Sequence, residues 1–262
     1  MRLRLVEGWD AFRPVGPAAR RARWAGFLAL AALALLVIVP AIDVAISRLF
    51  FDPGKGFAWR NSPVPEFLHE AIQIAARLLF AGFLVGLLAT LVGAWRAGYE
   101  RPLLGLGRKE WFFLLATLLL APGLVANTIL KDNWDRARPF QIEAFGGPLT
   151  HTPPLVVSDQ CDHNCSFVAG DAAVGFYTHA LAYVVRRRSG LVLAAGLANG
   201  GLAGLLRIGM GAHFFSDVVF AGVFMVLTVG LVHALLFGPR ATAARWRGWA
   251  GWLLGREAPG SP

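Results

Sequence analysis

Six long apolar runs constrain this chain more than any other feature of its sequence. They cover about residues 24–46, 68–95, 111–130, 166–185, 190–209 and 214–237. A run of about 18 or more apolar residues can cross the hydrocarbon core of a bilayer as a helix. With 56% hydrophobic and only 16% charged residues, the chain is neither disordered nor an ordinary soluble domain. We predict an all-α polytopic membrane protein with six transmembrane helices in one bundle.

The positively charged residues predict the orientation of this bundle. Seventeen Lys and Arg residues lie on one side of the runs, in segment 1–23, after the second and fourth runs and in the tail 239–262, whereas seven lie on the other side. Cytoplasmic segments of membrane proteins carry such an excess. We therefore predict a transmembrane domain over 24–238 with both termini in the cytoplasm. The first run is long for the apolar core of a signal peptide, so we interpret it as a retained anchor.

The net charge of +9 does not indicate a nucleic-acid partner. The charges sit at the ends of apolar runs, and no zinc-finger, basic-zipper or RNA-binding signature accompanies them. The expected partner is the lipid bilayer. The longest loop, 131–165, falls on the outer side and is predicted to be irregular because it contains several Pro and Gly residues.

Three polar clusters mark the outer ends of the runs. They lie within 131–139, 165–171 and 207–217. The predicted orientation places all three in one compartment. Lys131, Arg138 and Arg207 supply three cations to this site, and the two guanidinium groups suit the oxygens of a phosphoryl group. Gly170 lets a ligand approach the start of the fourth run closely, and helix N-termini bind anions. The clusters together predict an oxyanion site.

The third cluster also contains a candidate nucleophile. His213 and Asp217 are four residues apart, so they would share a face if a helix began there. A carboxylate that accepts one ring N–H fixes the imidazole tautomer and leaves the other nitrogen as a nucleophile or base. An isolated pair of this kind is more often structural than catalytic. Its place beside two cationic clusters favours the catalytic interpretation.

The three clusters resemble the type 2 phosphatidic acid phosphatase superfamily, over about residues 111–235. The first and third motifs of that family, Lys-x6-Arg-Pro and Arg-x5-His-x3-Asp, are matched by Lys131, Arg138, Pro139, Arg207, His213 and Asp217. The resemblance implies that His213 attacks phosphorus to form a phosphohistidine, that Asp217 orients it, and that the cations bind the phosphate oxygens. It also implies a hydrolase that needs no metal or other cofactor and acts on a phosphorylated membrane lipid.

The second motif of the family, Pro-Ser-Gly-His, is largely lost. The chain reads Val168-Ala169-Gly170-Asp171 at this place, so only the glycine remains. The serine that contacts phosphate in the family is Ala169, and the histidine that protonates the leaving group is Asp171. Asp171 is therefore a candidate catalytic acid, which requires a protonated carboxyl group. Alternatively it binds a cationic group or a hydroxyl of the substrate, or the leaving group needs little protonation.

The two cysteines, Cys161 and Cys165, both lie in the outer loop shortly before Asp171. Outside the cytoplasm a disulfide between them is the favoured interpretation. Zinc bound by both cysteines and His163 is a weaker alternative, since no fourth ligand is evident.

The acidic second motif and the long outer loop resemble bacterial lipid A or related glycolipid phosphatases more than phosphatidic acid phosphatases. The predicted function is phosphate hydrolysis on such a lipid, at the periplasmic face of a bacterial inner membrane. Alternatives are a phosphatase of undecaprenyl diphosphate or phosphatidylglycerophosphate, a lipid phosphotransferase, and a non-catalytic homologue that binds lipid phosphates.

Overall fold

A computed structural model describes residues 17–253, and for residues 17–23 only the backbone. Much of the predicted cytoplasmic segment 1–23 and the end of the tail therefore lie outside the described residues. The described helices are α1 (Pro17–Ile38), α2 (Ala41–Arg48), α3 (Pro63–Ala97), α4 (Arg108–Leu118), α5 (Gly170–Tyr177), α6 (Leu181–Val184), α7 (Ser189–Gly209), α8 (Phe215–Phe237) and α9 (Pro239–Leu253). A π-helix, Leu119–Leu130, continues α4, and two short strands, β1 (Phe51–Asp52) and β2 (Gly56–Phe57), form an antiparallel hairpin.

Four of the described helices are long and apolar enough to cross a membrane. They are α3, α4 with its continuation to Leu130, α7 and α8. The first predicted run is not one straight helix, because α1 and α2 meet at 88°. The bend lies beside Pro40, which has no backbone N–H to donate to the hydrogen bonds of a helix. The fourth run contains only the short helices between Gly170 and Val184. The prediction of an all-α membrane protein is confirmed, with four candidate spans in the described residues, or five if α1 and α2 form one span.

The longest described helix, α3, reaches beyond the thickness of a membrane. It has 35 residues and is therefore about 52 Å long, against about 30 Å for the hydrocarbon core of a bilayer. Its sequence is apolar from Leu78 almost to its end. The turns before Leu78 also carry polar residues, among them His69 and Gln73.

Glycines bring α5 and α7 into direct contact. A side chain at Gly196 would collide with the backbone of His179, and one at Gly200 would collide with the ring of Phe176. Small residues of this kind let helix backbones approach closely within a membrane. The contact involves the end of α5 and the turn that follows it, so α5 is held against α7. Both helices carry residues of the predicted oxyanion site.

An aromatic cluster packs beneath the outer loops. Its rings lie 5.0–5.2 Å apart and belong to Phe51, Phe57 and Phe145. Two backbone hydrogen bonds join these loops to the connection between α7 and α8. The N–H of Trp59 donates to the carbonyl of Gly209 at 3.2 Å, and the N–H of Phe140 donates to that of Gly211 at 3.1 Å. The connection that carries His213 is thereby held by both loops.

Candidate active site

The three predicted clusters converge on one cavity of about 240 Å³. Its lining includes six of the seven predicted site residues, namely Lys131, Arg138, Gly170, Asp171, Arg207 and His213. The seventh, Asp217, is fully buried and lies behind His213. We call this space the phosphate cavity. Three helix ends and the outer loop meet there, which explains why residues so far apart in sequence become neighbours.

A widened helix end positions Lys131. The π-helix Leu119–Leu130 contains Pro122, and wide turns of this kind are frequent at functional sites. The side chain of Asn127 donates to the carbonyl of Pro122 at 2.7 Å. Nζ of Lys131 and Oδ1 of Asn127 then face Gly170, where an added Cβ would lie 3.6 Å and 2.9 Å from these atoms. Only glycine fits comfortably at this close approach.

In the absence of an anion, the positively charged side chains of the cavity repel one another. Burial and the nearby guanidinium of Arg138 lower the pKa of Lys131 to about 8. Burial and the charge of Arg207 likewise lower the pKa of Arg138. Positive charge that is both buried and self-repelling would be relieved by a bound anion, so the cavity is electrostatically suited to phosphate.

Raising the pH through about 8 should therefore weaken phosphate recognition. Below this pH Lys131 is protonated and attracts a phosphate dianion; above it the amine is neutral, so kcat/KM of the free enzyme should fall. The measurement is kcat/KM for phosphate release across this range. In Lys131→Arg the charge persists, because a guanidinium stays protonated through this pH range, so this fall should disappear. An unchanged fall in that variant would contradict the assignment to Lys131.

The surroundings of His213 favour the neutral form of its imidazole. Burial lowers its pKa well below the usual value, and the charges of Arg138, Arg207 and Lys131 lower it further. Its Nδ1 lies 2.7 Å from the carbonyl oxygen of Ser166. A carbonyl only accepts hydrogen bonds, so Nδ1 carries the proton and Nε2 keeps its lone pair. The cavity therefore contains an imidazole nitrogen with a free lone pair among three cations.

Asp217 does not contact His213 in the predicted way. Helix α8 begins at Phe215, after His213, so the two residues do not share a helix face. Oδ2 of Asp217 lies 3.9 Å from Nδ1 of His213. It instead accepts hydrogen bonds from the Ser166 hydroxyl at 2.6 Å and the Phe214 N–H at 2.7 Å. The carboxylate caps α8 and reaches the imidazole through Ser166.

A buried network behind Asp217 was not predicted from the sequence. Arg136 is fully buried and pairs with the carboxylates of Asp217 and Asp43. Asp43, on α2, accepts further hydrogen bonds from the N–H and the hydroxyl of Ser216. Asp43 is the one acidic residue of the first apolar run, and an ionisable residue in such a run usually has a functional partner. That signal was available, although its partner was not.

Helix α3 contributes two further residues to the phosphate cavity. Nδ1 of His69 lies 2.6 Å from Oδ2 of Asp171, and Nε2 of Gln73 donates to Oδ1 at 2.7 Å. Nε of Arg207 lies 3.2 Å from the same Oδ2. The i, i+4 spacing of His69 and Gln73 places them on one face of α3. This polar pair at the start of the second apolar run is a sequence signal for a contact with the site.

The outer loop supports Arg138. Cys161 and Cys165 are joined in a disulfide, with Cα atoms 5.8 Å apart, so they are not the free thiolates that the zinc alternative requires. No group of three His, Cys, Asp or Glu side chains in the described residues is arranged to hold a metal ion. Between the cysteines, the carbonyl of Asn164 accepts hydrogen bonds from Nε and Nη2 of Arg138, at 3.1 and 2.6 Å.

Removing this disulfide should have a small effect on stability. The double variant Cys161→Ser/Cys165→Ser opens a very short loop, so chain entropy predicts a loss of at most about 2 kcal/mol of unfolding free energy. Since Asn164 also anchors Arg138, KM should rise more than kcat falls. Unfolding in detergent and steady-state kinetics measure both effects. Loss of activity with an unchanged KM would contradict the view that the disulfide acts only by supporting the contact between Asn164 and Arg138.

The fold and the site belong to a known class of proteins. A family model described as the PAP2 superfamily matches residues 110–240, so the chain belongs to that superfamily, and the resemblance inferred from its motifs is confirmed. Three bacterial relatives carry the name lipid A 4′-phosphatase. The relative from Rhizobium etli is 30% identical over 227 residues, which cover 78% of this chain and 85% of the relative.

The other two relatives are more similar over shorter stretches. The relative from Francisella tularensis subsp. novicida is 47% identical over 133 residues, covering 50% of this chain and 60% of the relative. The one from Rhizobium leguminosarum is 40% identical over 106 residues, covering 40% and 46%. The matched stretches thus span less than two thirds of these two relatives. No solved structure is significantly similar to the chain.

Proposed function

We propose that this protein is a lipid A 4′-phosphatase that works through a phosphohistidine on His213. The observation that carries the proposal is the buried imidazole of His213, whose Nδ1 faces the Ser166 carbonyl, in a cavity lined by Lys131, Arg138 and Arg207. The names of the three relatives support the substrate and the position of the phosphate. Membership of the PAP2 superfamily supports phosphatase chemistry.

The reaction follows from the placement of these groups. Nε2 of His213 attacks phosphorus, and an N–P bond forms while the P–O bond to the lipid breaks. The three cations hold the non-bridging oxygens, whose negative charge they stabilise as the phosphoryl group is transferred. Water then attacks the phosphohistidine, which releases inorganic phosphate and restores the imidazole. Asp217 is a positioning residue, because it acts on His213 through Ser166.

An apolar groove beside the phosphate cavity suits the acyl chains of such a substrate. The groove has a volume of about 580 Å³ and runs between α3, α5 and α7. Leu68, Ile72, Leu202 and Leu206 are among its walls, and Val174 lines both the groove and the phosphate cavity. A lipid whose phosphate enters the cavity would therefore place an acyl chain in the groove, where the chain remains in contact with the protein.

The proposed membrane placement is that of a bacterial inner-membrane protein with six spans. Lys131, Gly170 and Arg207 lie at helix ends on the same side of the bundle, while the basic excess flanks the opposite helix ends. By the positive-inside rule, the active site then faces the periplasm and both termini face the cytoplasm. The short helices between 170 and 184 serve as the fourth span, which is shorter than the others.

The test uses purified full-length protein in detergent with EDTA present. Lipid A that carries phosphates on both sugars is the substrate, and mass spectrometry locates the phosphate that is lost. Phosphatidic acid, phosphatidylglycerophosphate and undecaprenyl diphosphate serve as competing substrates, with His213→Gln as the blank. We expect release of the 4′-phosphate in EDTA by the native protein only. Preference for another lipid, a need for added metal, or equal release by the blank would contradict the proposal.

A further inference from the structure

The hydrogen bonds of Asp171 make it an acceptor rather than a proton donor. The side chain is 5% exposed. One oxygen accepts the amide N–H of Gln73, and the other faces both Nδ1 of His69 and the guanidinium of Arg207. Gln73 and Arg207 present N–H groups, which a carboxylate accepts. A protonated carboxyl group would have to turn its O–H toward one of these donors or toward His69.

His69 occupies the boundary between two connected spaces. Its side chain is 30% exposed, and it lines both the phosphate cavity and an outer cavity of about 560 Å³. His213 lines only the phosphate cavity, whereas Arg60 and Phe140 line only the outer one. A substrate whose phosphate meets His213 and whose sugar fills the outer cavity has its scissile P–O bond at this boundary. Because Nδ1 of His69 faces Asp171, Nε2 is the nitrogen left for that bond.

We propose that His69 is the general acid and base of the reaction, with Asp171 as its positioning residue. The inference rests on the proposed function, since it needs transfer of the phosphoryl group to His213. Imidazole is the side chain suited to giving and taking a proton near neutral pH. A carboxylate on Nδ1 fixes which nitrogen faces the substrate, so Asp171 supports the exchange without touching the reacting atoms.

The proton moves in two balanced steps. When the P–O bond breaks, its electron pair stays on the sugar oxygen, and that oxygen takes the proton from Nε2 of the doubly protonated His69. The neutral His69 keeps its Nδ1–H on Asp171. In the second step Nε2 takes a proton from the attacking water as the oxygen of that water bonds to phosphorus. The electron pair of the broken N–P bond returns to His213.

Changing the leaving group tests this assignment. His69→Gln is compared with the native protein on lipid A, whose sugar oxygen needs a proton to leave, and on 2,4-dinitrophenyl phosphate, whose phenolate does not. We expect turnover of lipid A to fall about 10²–10⁴-fold. The initial burst of dinitrophenolate should keep its rate, but phosphohistidine should accumulate because water is no longer deprotonated. Glu70→Gln is the matched control, since Glu70 is the exposed neighbour on α3.

Chemical rescue separates a chemical role from a structural one. Added imidazole should restore lipid A turnover to His69→Gly and should not affect Glu70→Gln. A dinitrophenolate burst slowed as much as lipid A turnover, without rescue, would overturn the assignment, as would full activity of His69→Gln beside an inactive Asp171→Asn. Native protein that releases no phosphate from lipid A and forms no phosphohistidine would overturn the proposed function and this inference together. Native activity with unaffected His69 variants would overturn this inference alone.

Discussion

His213→Gln should lower the rate of phosphate release from lipid A by about 10⁴-fold or more, the scale typical of losing a covalent nucleophile. Glutamine keeps a polar side chain of similar length but has no basic nitrogen to attack phosphorus. The measurement is the initial rate of phosphate release, together with a search for labelled phosphohistidine. Neither turnover nor label should be detectable in the variant.

The variant should still bind inorganic phosphate, because Lys131, Arg138 and Arg207 remain in the cavity. Calorimetric titration with phosphate therefore serves as the folding control. A variant that keeps about a tenth of the native rate would show that another group attacks phosphorus. A variant that loses phosphate binding as well would show that the buried imidazole supports the cavity rather than the chemistry.

Arg136→Met should lower the free energy of unfolding by about 3–5 kcal/mol, because it leaves the buried carboxylates of Asp43 and Asp217 without their cation. Methionine approximates the aliphatic part of the side chain, so the loss reports charge rather than volume. Denaturant titration in detergent measures it. Activity should fall too, since Asp217 would lose the partner that holds it beneath Ser166.

Arg48→Met is the matched control, because Arg48 is exposed at the end of α2 and its loss should change stability very little. The double variant Arg136→Met/Asp43→Asn should lose less stability than the sum of the two single variants, since the groups share one network. Equal stability of Arg136→Met and Arg48→Met would contradict the importance of the buried pairs.

The candidate site was largely predictable because its chemistry demands particular residue types at particular helix ends. Phosphate oxygens need cations, and a helix that must stay apolar can carry them only at its ends. Lys131, Arg138 and Arg207 were found in this way, and all three line the cavity. The contact between His213 and Asp217 was predicted less well, because four-residue spacing implies a shared helix face only where the helix already exists.

The partners that sequence reasoning did not identify lie in distant segments of the chain. Asp43 lies 93 residues from Arg136, and His69 lies 102 residues from Asp171. Each was visible as a polar residue in or beside an apolar run, which indicates a partner without naming it. Which partner each one meets depends on the bend between α1 and α2 and on the position of α3 beside α5.

The sequence by itself determined that the chain is helical and suited to a membrane, and which three clusters form the phosphate cavity. Length and hydropathy suffice for the first conclusion, because an apolar layer requires every backbone group to be hydrogen-bonded within a helix. Only the tertiary structure decided that the first run bends, that the fourth is broken, and that α3 supplies His69. Hydropathy shows that a residue avoids water, but it does not show whether that residue faces lipid or protein, because both are apolar. Which helices pair is therefore decided by side-chain packing and buried polar contacts.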